Sequence, residues 1–380
     1  MEVLSMDKFK VGIIGFGHMH INNVAQLYGD RPEVEWVACA DTKPATPELR
    51  KAPYTREWNK ELLMEKLGIP KSYDCWREML DKEQFDIIVV TSENAQHADI
   101  VVACAAKGIN VCVEKPMAVS LADGLRMARA VRAAGTKMVI NWPTTWTPAA
   151  RTMKKVIDSG VIGRPLQVKW RAGHTGPLGS GAHHTGVSEN AAPMTGPERA
   201  ATWWHQVAAG GGSILDFCCY GAMLSRWWLG EQAVSAQGLR TNLESQYGDA
   251  DDNSVIVAQF PSAMAIFEGS WTTWDGAEIP AGIVYGTRGT AVLLNGPDGQ
   301  FVRAYLGGGK KQDFENEPLP EGRETIAGDF IYALKTGEPA HTTIDMDFNL
   351  EVLAILDAGV RSSFTHQVEL VQNPANNFNL

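Results

Sequence analysis

Lys115, Asp216 and Tyr220 are the residues whose types and spacing point most directly to chemistry. Lys115 and Pro116 stand at the exit of an apolar run that ends at Glu114. Asp216 and Tyr220 follow three consecutive glycines, 210–212, and their i, i+4 spacing places them on one face of a helix. A lysine can hold an oxyanion, and a phenol can carry a proton. Tyrosine titrates near 10 when unperturbed, so it needs a cation such as Lys115 beside it to act as a base near neutrality. His205, next to Trp203 and Trp204, is the second candidate for that proton. Given a nucleotide site, this set performs hydride transfer: the cofactor carries the redox chemistry and the protein supplies orientation and electrostatics.

The nucleotide site is readable near the start. Gly15, Phe16, Gly17, His18 and Met19 follow a short apolar strand and open a helix. In such a turn the first glycine permits the tight bend, and the second lets backbone approach a pyrophosphate at the helix N-terminus. His20 takes the place of the fingerprint's third glycine. Asp41 closes the second strand, where a carboxylate binds ribose hydroxyls and repels a 2′-phosphate. NAD is therefore expected over NADP, although Lys43 is a cation close enough to tolerate the phosphate.

His174, His183 and His184 share one loop without a carboxylate or cysteine at ligand spacing, so no metal is expected there. They are read as solvated or as substrate contacts. Trp142, Trp146, Trp203, Trp204, Trp271 and Trp274 fall in or near segments that should border a cleft. Indoles stack well on the apolar faces of sugar rings. The expected substrate contacts are Trp142, Trp146, His174, Trp203, Trp204 and His205, and the expected ligand is a carbohydrate or glycoside.

The elements that must position these residues fall into two halves. Unbroken apolar runs at 10–15, 34–40, 85–91, 110–114 and 137–141 alternate with helical segments. That rhythm means a doubly wound parallel sheet over residues 1–141. From 142 to 380 it changes. A long Gly, Pro and His-rich loop at 173–202 precedes a helix that begins after Gly212 and runs through Trp228. Short strand-like runs between 234 and 306 follow without crossover helices, which predicts a large open, mostly antiparallel sheet.

A chain of 380 residues suits two domains, and a net charge of −10 disfavours nucleic acid and anionic membranes as partners. No apolar run reaches membrane-spanning length. The N-terminus lacks a secretory h-region, and Met6 is a second possible start. The cysteines 39, 75, 104, 112, 218 and 219 form no CxxC pair and read as buried thiols of a reducing cytoplasm. Vicinal Cys218 and Cys219 are expected to be packing residues rather than a redox switch.

The chain resembles the glucose–fructose oxidoreductase / inositol dehydrogenase / rhizopine-catabolism (Gfo/Idh/MocA) family. The carriers are the turn at 15–17, residues 91–97, the Glu114-Lys115-Pro116 motif, residues 159–165 and the segment 210–220, in this order. The resemblance implies a Rossmann domain, a C-terminal α/β domain whose open sheet face forms a homo-oligomer interface, and a site between the two. It further implies that Thr91, Ser92, Asn94, His97 and Glu114 lie against the cofactor. Lys115 would hold the nicotinamide ribose and the substrate's reacting oxygen. Most members have histidine where this chain has Tyr220, and many have arginine where it has Thr145. The expected activity is NAD(H)-dependent oxidation of a secondary hydroxyl of a sugar, glycoside or cyclic polyol. The rival readings are an NAD-dependent glycosidase of the same fold and a non-catalytic NAD-binding regulator.

Overall fold

The computed structural model describes residues 8–274 and 279–374; Met6 lies outside them. The N-terminal half runs β1 (Phe9–Ile14), α1 (Ile21–Gly29), β2 (Val34–Ala40), α2 (Arg56–Leu67), β3 (Ser72–Tyr73), α3 (Trp76–Lys82), β4 (Ile87–Val90), α4 (His97–Ala105), β5 (Asn110–Glu114), α5 (Leu121–Ala134) and β6 (Met138–Asn141). Its strands pair in parallel in the order β3-β2-β1-β4-β5-β6. Every residue of β4 is buried, as helices on both faces require. The strand order reverses between β1 and β4, which opens a crevice beyond their C-terminal ends. Ser120 caps α5 by accepting from the Asp123 amide, and left-handed Gly135 ends it.

The second half contains α6 (Pro148–Asp158), β7 (Pro165–Gly173), α7 (Gly196–Ala200), α8 (Ser213–Asp216), α9 (Cys218–Leu229), β8 (Ser235–Thr241), β9 (Asn253–Gln259), β10 (Met264–Ser270), β11 (Gly282–Gly286), β12 (Gly289–Gly296), β13 (Gly299–Leu306), β14 (Lys311–Phe314), α10 (Ile326–Thr336), α11 (Met346–Thr365) and β15 (Glu369–Leu370). Nine strands form one sheet in the order β14-β13-β12-β11-β7-β10-β9-β8-β15, in which β7 and β10 are the parallel pair. Helices α6, α9 and α11 pack on one face. The other face presents Leu239, Val257 and Met264, which are 55%, 36% and 38% exposed. The halves share buried core: Val113 and Met117 pack with Cys218, Cys219 and Leu353 in one apolar cluster. Helix α10 reaches back to the first sheet, where Ile326, Phe330 and Ile331 pack with Val11, Ile13 and Ile21.

Two expectations are corrected. Helix α1 starts at Ile21 rather than His18, because the His18 amide donates to the Thr91 carbonyl and the His20 amide to His18 Nδ1. The expected continuous helix from 212 to 228 is broken at Phe217, with a bend of 53°. Asp216 and Tyr220 therefore flank a kink instead of sharing one regular helical face. The loop after β7 is docked on the first half: Tyr54 donates to the Glu189 carbonyl, Lys66 to Gly186 and Arg50 to Pro193. Among the described residues no single helix is long and apolar enough to cross a membrane.

Candidate active site

The glycine turn lies in the crevice. Gly15 has φ +93°, and a Cβ there would lie 2.4 Å from the Ser92 amide nitrogen, so glycine is required. The amides of Gly17 and Met19 have no protein acceptor among the described residues, which leaves two donors for a pyrophosphate. Asp41 Oδ1 accepts from the Phe16 and Thr42 amides at 2.9 and 2.8 Å and from Arg56 at 2.9 Å. Burial raises the Asp41 pKa, with Arg56 acting against it. Arg56 also pairs with buried Glu93, which accepts from Thr42 Oγ1 at 2.6 Å. Sequence reading missed Arg56: its signal was a lone arginine opening a helix fifteen residues after Asp41. These residues fit a dinucleotide.

Several expected cofactor contacts turn out to build this cradle. Thr91 donates to the Gly15 carbonyl at 2.7 Å, Asn94 to Gly210 at 2.8 Å, and His97 Nδ1 lies 3.3 Å from the Met117 carbonyl. Ser92 and Phe16 are buried beside them. Trp203 and Trp204 stack on each other at 3.9 Å, and the Trp203 indole donates to the Gly17 carbonyl at 2.8 Å.

The reacting groups meet at the C-terminal end of β5. Lys115 is 2% exposed; its Nζ donates to Asp216 Oδ1 at 2.8 Å and to the Asp216 carbonyl at 2.9 Å. The kink at Phe217 frees that carbonyl, which also accepts from Cys219 Sγ at 3.2 Å. The Trp271 indole donates to Asp216 Oδ2 at 3.0 Å. Burial alone would push the Lys115 pKa down, but the Asp216 carboxylate holds it well above the ordinary lysine range. Burial would likewise raise Asp216, yet Lys115 and His174 hold it below the usual carboxylate range. The pair is ionised and pinned by the indole.

Lys115 Nζ lies 4.7 Å from the Tyr220 ring centroid, over the ring face, and the ring packs edge-on against Trp142 at 5.3 Å. Burial raises the phenol above its ordinary value, with the neighbouring ammonium acting against it. His205 lies behind Trp271, ring to ring at 5.2 Å, with both nitrogens unpartnered, and burial lowers its pKa to about 3. Trp142 is a core residue whose indole donates to Asn349. Trp146 packs with the cluster around α10, away from Lys115. His174 is in the cleft: its Nδ1 accepts from the Gly176 amide at 2.9 Å, and it feels the charges of Asp216 and Lys115. One hollow of about 410 Å³ is lined by Trp170, Phe217 and Thr273, and another of about 640 Å³ by Tyr247, Trp271 and Trp274.

Residues 9–141 match the profile described as "Oxidoreductase family, NAD-binding Rossmann fold", and residues 150–292 match the "GFO/IDH/MocA C-terminal domain". The chain belongs to the Gfo/Idh/MocA oxidoreductase family. It is 29% identical over 163 residues to inositol 2-dehydrogenase of Salmonella paratyphi B, a match spanning 43% of this chain and less than half, 45%, of that enzyme. It is 25% identical over 300 residues to scyllo-inositol 2-dehydrogenase (NAD(+)) of Bacillus subtilis, spanning 77% and 80% of the two chains. The fold is shared with aldose–aldose oxidoreductase from Caulobacter crescentus, at TM-score 0.73 and 21% identity over 96% and 99% of the two chains.

Proposed function

We propose that this protein is an NAD(H)-dependent dehydrogenase that oxidises a secondary ring hydroxyl of a cyclic polyol, sugar or glycoside. The observation that carries the reading is the buried, ionised Lys115–Asp216 pair at the C-terminal end of β5 in an NAD-binding fold. The bound dinucleotide supplies the hydride acceptor. Lys115 donates to the reacting oxygen and stabilises the charge that develops on it. Asp216, held by Trp271, accepts from a hydroxyl of the substrate and fixes the carbinol carbon. The inositol dehydrogenases among the relatives support a cyclic polyol, and the aromatic walls of the two hollows support a ring-shaped ligand.

Among the described residues Asp41 is engaged through Oδ1, which leaves Oδ2 for a ribose hydroxyl and supports NAD. Residues 1–141 act as the cofactor domain and 142–380 as the substrate domain. The open face of the nine-stranded sheet is the surface on which copies of the chain associate.

The test is NADH formation by purified protein across a panel of inositols, sugars and glycosides. Stoichiometric NADH with one class supports the reading. Cleavage of a glycoside without NADH, or NAD binding without turnover, overturns it.

A further inference from the structure

His20 stands where the dinucleotide fingerprint has its third glycine, and the structure shows what the substitution brings. Its Nδ1 lies 2.9 Å from Glu114 Oε1. Glu114 is 1% exposed, and its other oxygen accepts from Asn141 Nδ2 at 2.7 Å. A carboxylate can only accept, so the His20 proton is on Nδ1, and Nε2, which has no partner among the described residues, keeps its lone pair. The His20 side chain is 22% exposed, unlike buried His18 beside it.

His18, His20 and Glu114 have ligand atoms within 4.8 Å of one another, an arrangement that invites a metal. The tautomer argues otherwise. His18 Nδ1 accepts the His20 amide at 3.1 Å, so the neutral His18 ring carries its proton on Nε2, the nitrogen that faces Glu114. A metal would need that nitrogen unprotonated.

An imidazole held by a buried carboxylate, on a side chain that is 22% exposed, is the arrangement of a general base. We propose that His20, oriented by Glu114, is the proton acceptor of the dehydrogenase. The inference rests on the activity proposed above and assigns its proton transfer to His20 rather than to Tyr220 or His205. In oxidation, the carbinol C–H and O–H bonds break and the C=O bond forms. The hydride passes with its electron pair to the oxidised nicotinamide cofactor, and the proton passes to His20 Nε2. The resulting imidazolium is neutralised by Glu114. In reduction the same group returns the proton.

The groups facing His20 are His18 on its own turn, Glu114 on β5, His184 from the docked loop at 6.0 Å ring to ring, and His174 at the end of β7. Lys115 acts electrostatically on His18 and, with Asp216, on His174. Burial lowers the pKa values of His18, His174 and His184, the last to about 4, so these neighbours are neutral near pH 7.

The test is His20→Gly, which restores the fingerprint glycine. We expect NAD binding, followed by tryptophan fluorescence, to survive. The rate of oxidation should fall on the order of a hundredfold and lose its decline at acid pH. Added imidazole should restore part of the rate, which a merely structural role would not allow. A full-rate His20→Gly enzyme, or loss of the acid limb in Tyr220→Phe instead, overturns the proposal while leaving the dehydrogenase intact. Absence of NADH from the wild-type protein across the whole panel overturns the activity itself. Histidine ¹⁵N NMR of the wild-type protein gives a readout independent of turnover. A pyridine-like Nε2 on His20, altered in Glu114→Gln, supports the dyad; a proton on Nε2 refutes it.

Discussion

At the scale of the residue, one buried ion pair joins chemistry to stability. Lys115→Ala removes the donor to the reacting oxygen and leaves the Asp216 carboxylate buried without its cation. We expect kcat to fall on the order of a hundredfold. Breaking a buried pair also costs about 3–5 kcal/mol, read as a fall in the urea midpoint. The pH sign follows from the directions of the two shifts. Asp216 is depressed, so its contribution is complete above the unfolded carboxyl value near 3.9 and is lost as pH falls through the lower folded value. Lys115 is raised, so its contribution is complete below the unfolded value near 10.4 and is lost as pH rises through the higher folded value. The stability gap between wild type and Lys115→Ala should be widest between those limits and narrow in acid. A gap that is constant across pH would contradict the pairing.

Arg56 offers a second residue-level prediction. Its guanidinium is shared by Asp41 and Glu93 next to Gly17. Glu93→Gln removes one of the two anions and leaves more of the cation for a 2′-phosphate. The ratio of kcat/KM for NADP over NAD should rise by about tenfold, in keeping with one charge–charge contact at a partly buried site. An unchanged ratio would mean that Arg56 does not reach the adenosine ribose.

The elements act by where they stop. Helix α8 stops at Asp216, and the break lets one carbonyl and one carboxylate of the same residue face Lys115. Its start depends on Gly212, with φ +112°, where a Cβ would lie 2.5 Å from Asp251 Oδ1. Asp251 accepts from Ser213 Oγ and the Ile214 amide and so caps the short helix. Gly212→Ala should therefore cost about 1–3 kcal/mol, the usual range for a strained backbone position. It should also lower kcat by displacing Asp216. Parallel loss of midpoint and turnover checks this; loss of stability with unchanged kcat would show that α8 does not set the Asp216 position.

Across the whole molecule, α6, α9 and α11 cover one face of the nine-stranded sheet, and the other face mixes exposed apolar residues such as Leu239, Val257 and Met264 with charged ones such as Arg171 and Glu268. A sheet face that exposes apolar residues gains by covering them with a second copy. Val257→Lys places a charge among those apolar side chains. We expect light scattering to show a dimer or larger assembly for the wild type and a smaller species for the variant, with near-normal secondary structure. A monomeric wild type would refute the association.

The amino-acid sequence by itself determined what depends on neighbours along the chain. Apolar runs alternating with helical periods specify the parallel sheet, and a strand followed by Gly15 and Gly17 specifies the nucleotide turn. Lys115 was legible because it ends a strand, and Asp216 because it follows three glycines. The tertiary structure decided which atoms meet across the folded chain. Lys115 reaches Asp216 across 101 positions, Trp271 pins it across 55, and Glu114 orients His20 across 94. None of these separations leaves a periodic trace. Tyr220 shows the same limit. Its spacing suggested a proton carrier beside a cation, but orientation decides, and packing against Trp142 turned the ring face toward Lys115. Spacing along a helix fixes which residues are near one another; only the packed core fixes which atoms they present.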